Sequence, residues 1–259
     1  MLENGLPRDV AGLRTLIANV VFIGEPGGGA WTLIDAGVMS FADDIAEAAK
    51  ERFGDSPPKA IVLTHGHFDH VGSLRGLLQR WSVPVYAHQL ELPYLTGAKD
   101  YPEADPDVGG GLMSRISPLY PHKGIDISDV VRPLPEDGSV PGLPEWRWVH
   151  TPGHTEGHVS LYRERDRTIV AGDAFITVKQ ESAFAVLMQE EEIHGPPAYF
   201  TFDWGHAADS VRKLAALKPA AAITGHGKPM AGEALASGLA ELARTFEARA
   251  VPHGGDVGR

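Results

Sequence analysis

The chain has 259 residues, 43% of them hydrophobic, enough to bury a sizeable core in one large domain or two small ones. It has no cysteine, which rules out disulfides, thiolate catalysis and cysteine-held zinc. A formal net charge of −11 argues against a generic nucleic-acid surface, which needs clustered Lys and Arg to neutralise phosphates.

No apolar run approaches the roughly 20 residues that cross a bilayer, so no membrane partner is expected. Met1-Leu2-Glu3-Asn4 offers neither a basic n-region nor an apolar h-region. No signal peptide is expected, and the expected location is cytoplasmic. No Ser-rich linker, repeat or low-complexity tract divides the chain, so residues 1–259 are read as a single domain. A homo-oligomer stays open.

In chain order, Leu13 to Ile23 is rich in apolar and β-branched residues and reads as a strand. Gly24 to Gly29 is a turn, and Trp31 to Ile34 is the return strand ending at Asp35. Ser40-Phe41-Ala42-Asp43 matches a capping box, and Phe41, Ile45, Ala49 and Phe53 recur at helical spacing. Gly54 to Pro58 stops that helix. Ala60 to Leu63 is a short buried strand. Val71, Leu74, Leu78 and Trp81 mark a second amphipathic helix, and Val83 to Ala87 another strand.

Residues 97–125 hold many Pro and Gly with little periodicity; so long a loop is either a lid or a passive surface insertion. Trp146 to His150, His158 to Tyr162, Thr168 to Val170 and Ala221 to Thr224 read as strands. His206 to Leu217 and Glu233 to Ala248 read as helices, and Val251 to Arg259 as a loose tail. Alternating strands and helices indicate an α/β sandwich.

The densest chemistry is His65-Gly66-His67-Phe68-Asp69-His70, directly after the strand Ala60 to Leu63. Two residues apart, His65 and His67 share one face in extended backbone. Asp69 and His70 follow where the chain should turn, so they point elsewhere. That arrangement suits two adjacent metal ions better than one. Neutral imidazole and carboxylate are ligands for zinc, iron or manganese.

His-x-His-x-Asp-His resembles the signature of the metallo-β-lactamase-fold superfamily. Thr151-Pro152-Gly153-His154-Thr155 resembles that family's third-histidine motif, Ala171-Gly172-Asp173-Ala174 its bridging-aspartate motif, and Thr224-Gly225-His226-Gly227 its last-histidine motif. The resemblance implies an αββα sandwich with its metal site at one edge. It implies that His65, His67 and His154 hold one divalent metal, that Asp69, His70 and His226 hold a second, and that Asp173 bridges both. It places Asp35 beneath the metals. The cofactors implied are two divalent ions, zinc first, with iron or manganese as alternatives.

Two cations about 3.5–4 Å apart lower the pKa of a shared water and give hydroxide at neutral pH. Asp69 would touch that nucleophile and is the candidate to receive its proton. His158, beside the third motif, is expected to orient a ligand through a hydrogen bond. His122 and His194 are kept as candidates for the pocket border. His88, His150, His206 and His253 are read as surface or capping residues.

Absences sort the hydrolases. Zinc β-lactamases with a cysteine ligand are excluded, and others lack the carboxylate that Asp173 supplies. Lactonases of acyl-homoserine lactones often carry a tyrosine where Ile176 stands. Glyoxalase-II-like thioesterases have a Gly- and Arg-rich segment where Ala174 to Lys179 stands. The reading is a dinuclear metal-dependent hydrolase of a small carboxylic ester, thioester or lactone. The alternatives are a persulfide dioxygenase-like iron oxidoreductase or a phosphodiesterase. The expected partner is a small molecule, with no nucleic acid. Lys179, Gln180, Glu181 and Ser182 could approach it, Lys179 as an anion binder or simply as an exposed lysine. The aromatic run Pro196 to Trp204 is either a wall of the pocket, with Trp204 its binding residue, or a piece of core.

Overall fold

A computed structural model of the protein describes residues 1–105, 117, 120–178 and 192–251. Two six-stranded sheets face one another. The first holds β1 (Val10–Thr15), β2 (Ala18–Ile23), β3 (Thr32–Ile34), β4 (Ile61–Val62), β5 (Val85–Ala87) and β6 (Val131–Pro133), side by side in that order. The second holds β7 (Ser139–Val140), β8 (Leu143–His150), β9 (Val159–Arg163), β10 (Thr168–Val170), β11 (Ala221–Ile223) and β12 (Met230–Ala231), also in chain order. Strands β3 to β6 run parallel, as do β10 and β11; the other pairs are antiparallel.

The strand sequences show why there are two sheets. In β2 every residue is buried. Its side chains alternate between faces: Val20 and Phe22 pack among the helices outside, while Val21 and Ile23 pack between the sheets. Strand β10 divides likewise, Ile169 outward and Val170 inward. Apolar side chains on both faces need a layer on each side. Helices α1 (Ala42–Phe53) and α3 (Leu74–Arg80) cover the first sheet through Ile45, Phe53, Leu74 and Leu77. Helices α5 (Trp204–Ala216) and α6 (Gly232–Arg249) cover the second through Val211, Leu214, Leu239 and Phe246. The short helices α2 (Phe68–Val71) and α4 (Leu92–Leu95) stand at the sheet edge. The result is the four-layer α/β sandwich expected. Among the described residues no helix is long and apolar enough to cross a membrane.

Four expectations change. Leu13 to Ile23 is a hairpin, because the chain turns at Leu16, which takes a left-handed φ of 66° and is exposed. An apolar turn without Gly, Asn or Asp leaves no compositional trace. Ser40 is no capping box: it too has a positive φ, and the Phe41 N–H is taken by Ser73 Oγ at 2.9 Å. Val71 to Trp81 is broken after Val71, because the Gly72 N–H bonds Gly37 O at 2.8 Å instead of continuing the helix. Trp204 is buried against Phe246 under the second sheet, so it is core. Of the segment 97–125, residues 106–116, 118 and 119 lie outside the described residues, as do Lys179 to Ser182 and His253.

One buried ion network joins the sheets. Arg163 on β9 is 1% exposed, and its guanidinium meets both oxygens of Asp9, beside β1, and both oxygens of Asp166. It also lies over the Trp146 ring at 4.8 Å. Arg163→Met keeps the apolar stem but strands the two carboxylates. Losing one partner of a buried pair costs about 3–5 kcal/mol. Urea unfolding of the variant should show a loss of about that size, reduced somewhat by Arg165, which also reaches Asp9.

Candidate metal centre

Every sequence-predicted ligand follows the C-terminal end of a strand, all at the same edge. His65 and His67 come after β4, and Asp69 and His70 in the first turn of α2. His154 lies in the loop after β8, Asp173 after β10 and His226 after β11. His67 is extended (φ −64°, ψ 153°) and the helix begins at the next residue, so the ligands separate into two directions. The edge of an α/β sheet beyond its strands' C-terminal ends is the usual place for such sites.

The structure brings all seven residues together. His65, His67 and His154 form one group of donor atoms within 4.8 Å of one another; His65, His70 and Asp173 form a second; Asp69, His70 and His226 form a third. His67 Nδ1 faces His154 Nε2 at 3.0 Å. Around Asp173, His226 Nε2 lies at 3.1 Å, His154 Nε2 at 3.4 Å and His70 Nε2 at 3.6 Å. His65 Nε2, His67 Nε2, His70 Nε2 and Asp173 Oδ1 are buried and have no hydrogen-bond partner. So many unmatched donor atoms converging in a buried site are costly unless something joins them. A divalent cation fits this donor set of imidazoles and carboxylates.

The far sides of the ligands are tied down. Asp35, as expected, lies beneath: it accepts from Thr64 N at 2.7 Å and Thr64 Oγ1 at 2.8 Å, and from His70 Nδ1 at 2.9 Å. His226 Nδ1 donates to Ile17 O at 2.8 Å. His154 Nδ1 meets Thr201 Oγ1 at 3.1 Å, whose own proton goes to Pro197 O at 2.8 Å. These bonds leave Nε2 of His70, His154 and His226 turned inward, which fixes the metal-binding nitrogen. His158 orients a ligand through a hydrogen bond, as expected, and does so at the backbone of Asp173. Its Nε2 accepts from the backbone N–H of Asp173 at 2.9 Å, and its Nδ1 is matched by Thr151 Oγ1 at 2.8 Å. It holds the chain at Asp173, and its ring lies 5.3 Å from that of His65. Neither His122 nor His194 joins any of the three groups.

Electrostatics divide the histidines. Burial, reinforced by neighbouring imidazoles, lowers His65 and His154 well below the ordinary value and His67 to about 3. These three are neutral and ready to ligate. His70 and His226 are also disfavoured as cations by burial, but Asp173 and the other carboxylates outweigh that and raise both. A cation binding there has to displace a proton. Burial opposes ionisation of Asp173, but His226 and His70 outweigh it and hold the carboxyl well below its usual range. Burial raises Asp69.

Sequence reasoning missed Thr64, Thr201, Ile17 O and Asn19. Asn19 Nδ2 donates to Thr224 O at 2.9 Å and Gly227 O at 2.8 Å, clasping the loop that carries His226. A backbone carbonyl or a lone polar residue on another strand leaves no motif to find. The aromatic run does reach the site, through Phe200: its ring lies 4.8 Å from that of His67 and packs with Phe68, Tyr120 and Tyr199.

Known proteins resemble this chain in sequence and in fold. The model of the Metallo-beta-lactamase superfamily matches residues 13–226. The probable metallo-hydrolase YflN of Bacillus subtilis (strain 168) is 55% identical over 238 residues, 91% of this chain and 90% of that protein. A hydroxyacylglutathione hydrolase of Legionella pneumophila (strain Lens) is 28% identical over 57% of this chain and 47% of its own. The crystal structure of TTHA1623 in a di-iron-bound form superposes with a TM-score of 0.56 at 26% identity, covering 91% of this chain and 97% of that one.

Gly225 is the tightest contact at the site. A Cβ there would stand 1.9 Å from Asp173 Oδ1 and 2.8 Å from His70 Cε1. Gly225→Ala should therefore push Asp173 out of place and weaken metal binding about 10-fold or more. Elemental analysis beside a circular dichroism spectrum checks this; full metal content would show that the loop yields without cost.

Proposed function

The chain belongs to the metallo-beta-lactamase superfamily, and from that premise we propose that it is a hydrolase with two divalent metal ions, acting on small carboxylic esters, thioesters or lactones. His65, His67 and His154 would hold one ion and Asp69, His70 and His226 the other, with Asp173 between them. Two bound cations supply Lewis acidity and an acidified water.

The chain's own groups do the rest. Asp69 stands at the inner face, with Oδ2 3.5 Å from His226 Nε2. Its burial raises the carboxyl and suits it to take up the proton the attacking water loses. The observation that carries the substrate class is the apolar wall beside His67. Phe68, Tyr120, Tyr199 and Phe200, with Ala104, pack as one cluster that meets the His67 ring through Phe200. Such a wall fits an acyl chain and excludes water from the reacting carbonyl. The net charge of −11 repels long polyanions. The related hydroxyacylglutathione hydrolase supports an acyl substrate. The di-iron neighbour makes iron the first alternative to zinc.

A panel of small esters, thioesters, lactones, a phosphodiester and an oligonucleotide, assayed on protein loaded with zinc, manganese or iron, tests the reading. We expect turnover on the acyl compounds and little on the other two, with two ions per chain by elemental analysis. Phe200→Ala should raise KM several-fold with a smaller change in kcat. Efficient phosphodiester or oligonucleotide cleavage without acyl turnover overturns the substrate class; oxygen consumption in the iron form overturns the hydrolase.

Asp69→Asn keeps the size and one oxygen donor but removes the charge that accepts a proton. It should lower kcat by about 10²-fold or more while metal content falls less. Unchanged kcat with a collapsed affinity for one ion would make Asp69 a ligand only.

A further inference from the structure

Glu91 is fully buried, and no motif marks it. It ends the short 3-10 turn Gln89–Glu91 that follows β5, on neither of the loops that carry the first metal triad. Yet its two carboxylate oxygens divide between those loops. Oε2 accepts from the backbone N–H of Gly66, between His65 and His67, at 2.9 Å. Oε1 accepts from Thr155 Oγ1 at 2.7 Å and from the Gly157 N–H at 3.0 Å, in the loop of His154. Tyr101 Oη donates to Oε2 as well, and itself accepts from Gly66 N at 3.0 Å.

All four partners of the carboxylate are donors. An ionised carboxylate only accepts, and with two oxygens it satisfies all four. The glycines on either side are shaped to it. A Cβ at Gly157 would meet Glu91 Cγ and Oε1 at 2.7 Å, and one at Gly66 would meet Tyr101 Oη at 2.5 Å. Tyr101 stacks on Tyr94 with ring centroids 3.9 Å apart and lies edge-on to His67 at 4.5 Å. The His67 ring thus meets both Tyr101 and Phe200.

We propose that Glu91 is a positioning residue that sets the distance between the His65–His67 loop and the His154 loop, and so assembles the first metal triad, with Tyr101 as its partner. The two loops leave different sheets, one after β4 and one after β8. Beyond the direct contact of His67 with His154, Glu91 bonds both loops. The proposal rests on the reading that His65, His67 and His154 hold a metal ion.

Glu91→Gln tests it. The amide keeps the shape but turns one acceptor into a donor, which must face the donors of one loop. Zinc affinities are measured by competition with a chromophoric chelator, and the metal-free forms are checked by thermal unfolding. Wild type should bind two ions. Glu91→Gln should bind one of them 10- to 100-fold more weakly, with the other little changed. Tyr101→Phe removes the bond to Oε2 and the one accepted from Gly66 N, and Thr155→Val removes one bond to Oε1; each should weaken the same ion several-fold in proteins that unfold cooperatively. These two variants keep the test open if Glu91→Gln does not fold. Wild-type affinity for both ions in the folded variants, whatever their melting temperatures, overturns the proposal, as does equal weakening of both ions. Failure of wild type to bind any ion would instead overturn the metal-site reading on which the proposal rests.

Discussion

The carboxylate of Asp173 lies at the centre of a ring of imidazoles, buried and held as an anion by His226 and His70. Much of the surrounding structure answers to that one charge. Its backbone is pinned by His158, itself fixed by Thr151. Gly225 has no side chain because one would overlap Oδ1, and Gly172 takes a left-handed φ of 55° in a space where a Cβ would meet His158 Nε2 at 2.5 Å. The loop of Gly225 is in turn clasped by Asn19 from the first sheet. A buried anion is tolerated when every neighbour is arranged to meet it, and here the neighbours come from both sheets.

The carboxylates together sort the donors into two kinds. The carboxylates raise His70 and His226, whereas burial and neighbouring imidazoles lower His65, His67 and His154. One half of the site is thus ready for a cation, and the other exchanges protons for it. The difference follows from where the carboxylates stand: Asp35 and Asp69 lie on the His70 side. The proton acceptor proposed for catalysis, Asp69, belongs to that same half.

Against this polar ring lies an apolar wall. Phe200 touches His67, and so does Tyr101, which carries hydrogen bonds of the Glu91 clamp. Substrate contact and ligand positioning therefore meet at one imidazole. The same imidazole turns its Nδ1 to His154 Nε2 at 3.0 Å.

The donor set was legible in the sequence because each motif is local. Six residues after one strand hold four donors, and His154, Asp173 and His226 each stand in a short glycine-containing turn just past a strand. Alternating strands and helices made an α/β sandwich legible too, and the four layers followed from the family that the motifs resemble. Long-range pairings were not. Glu91, Thr201, Asn19 and the carbonyl of Ile17 act through single hydrogen bonds to residues far along the chain, and such bonds have no period and no composition. The hairpin at Leu16 and the break after Val71 were hidden because backbone bonds, not residue types, decide them. In the aromatic run, Phe200 and Trp204 look alike in sequence. Only the start of α5 at Trp204 sends one ring to the core and leaves the other beside His67. The sequence by itself determined which groups could bind metal and in what order they occur; tertiary structure decided which nitrogen of each faces inward, which carboxylate ties the loops, and which aromatic residue meets the site, because those depend on contacts between segments that no local pattern encodes.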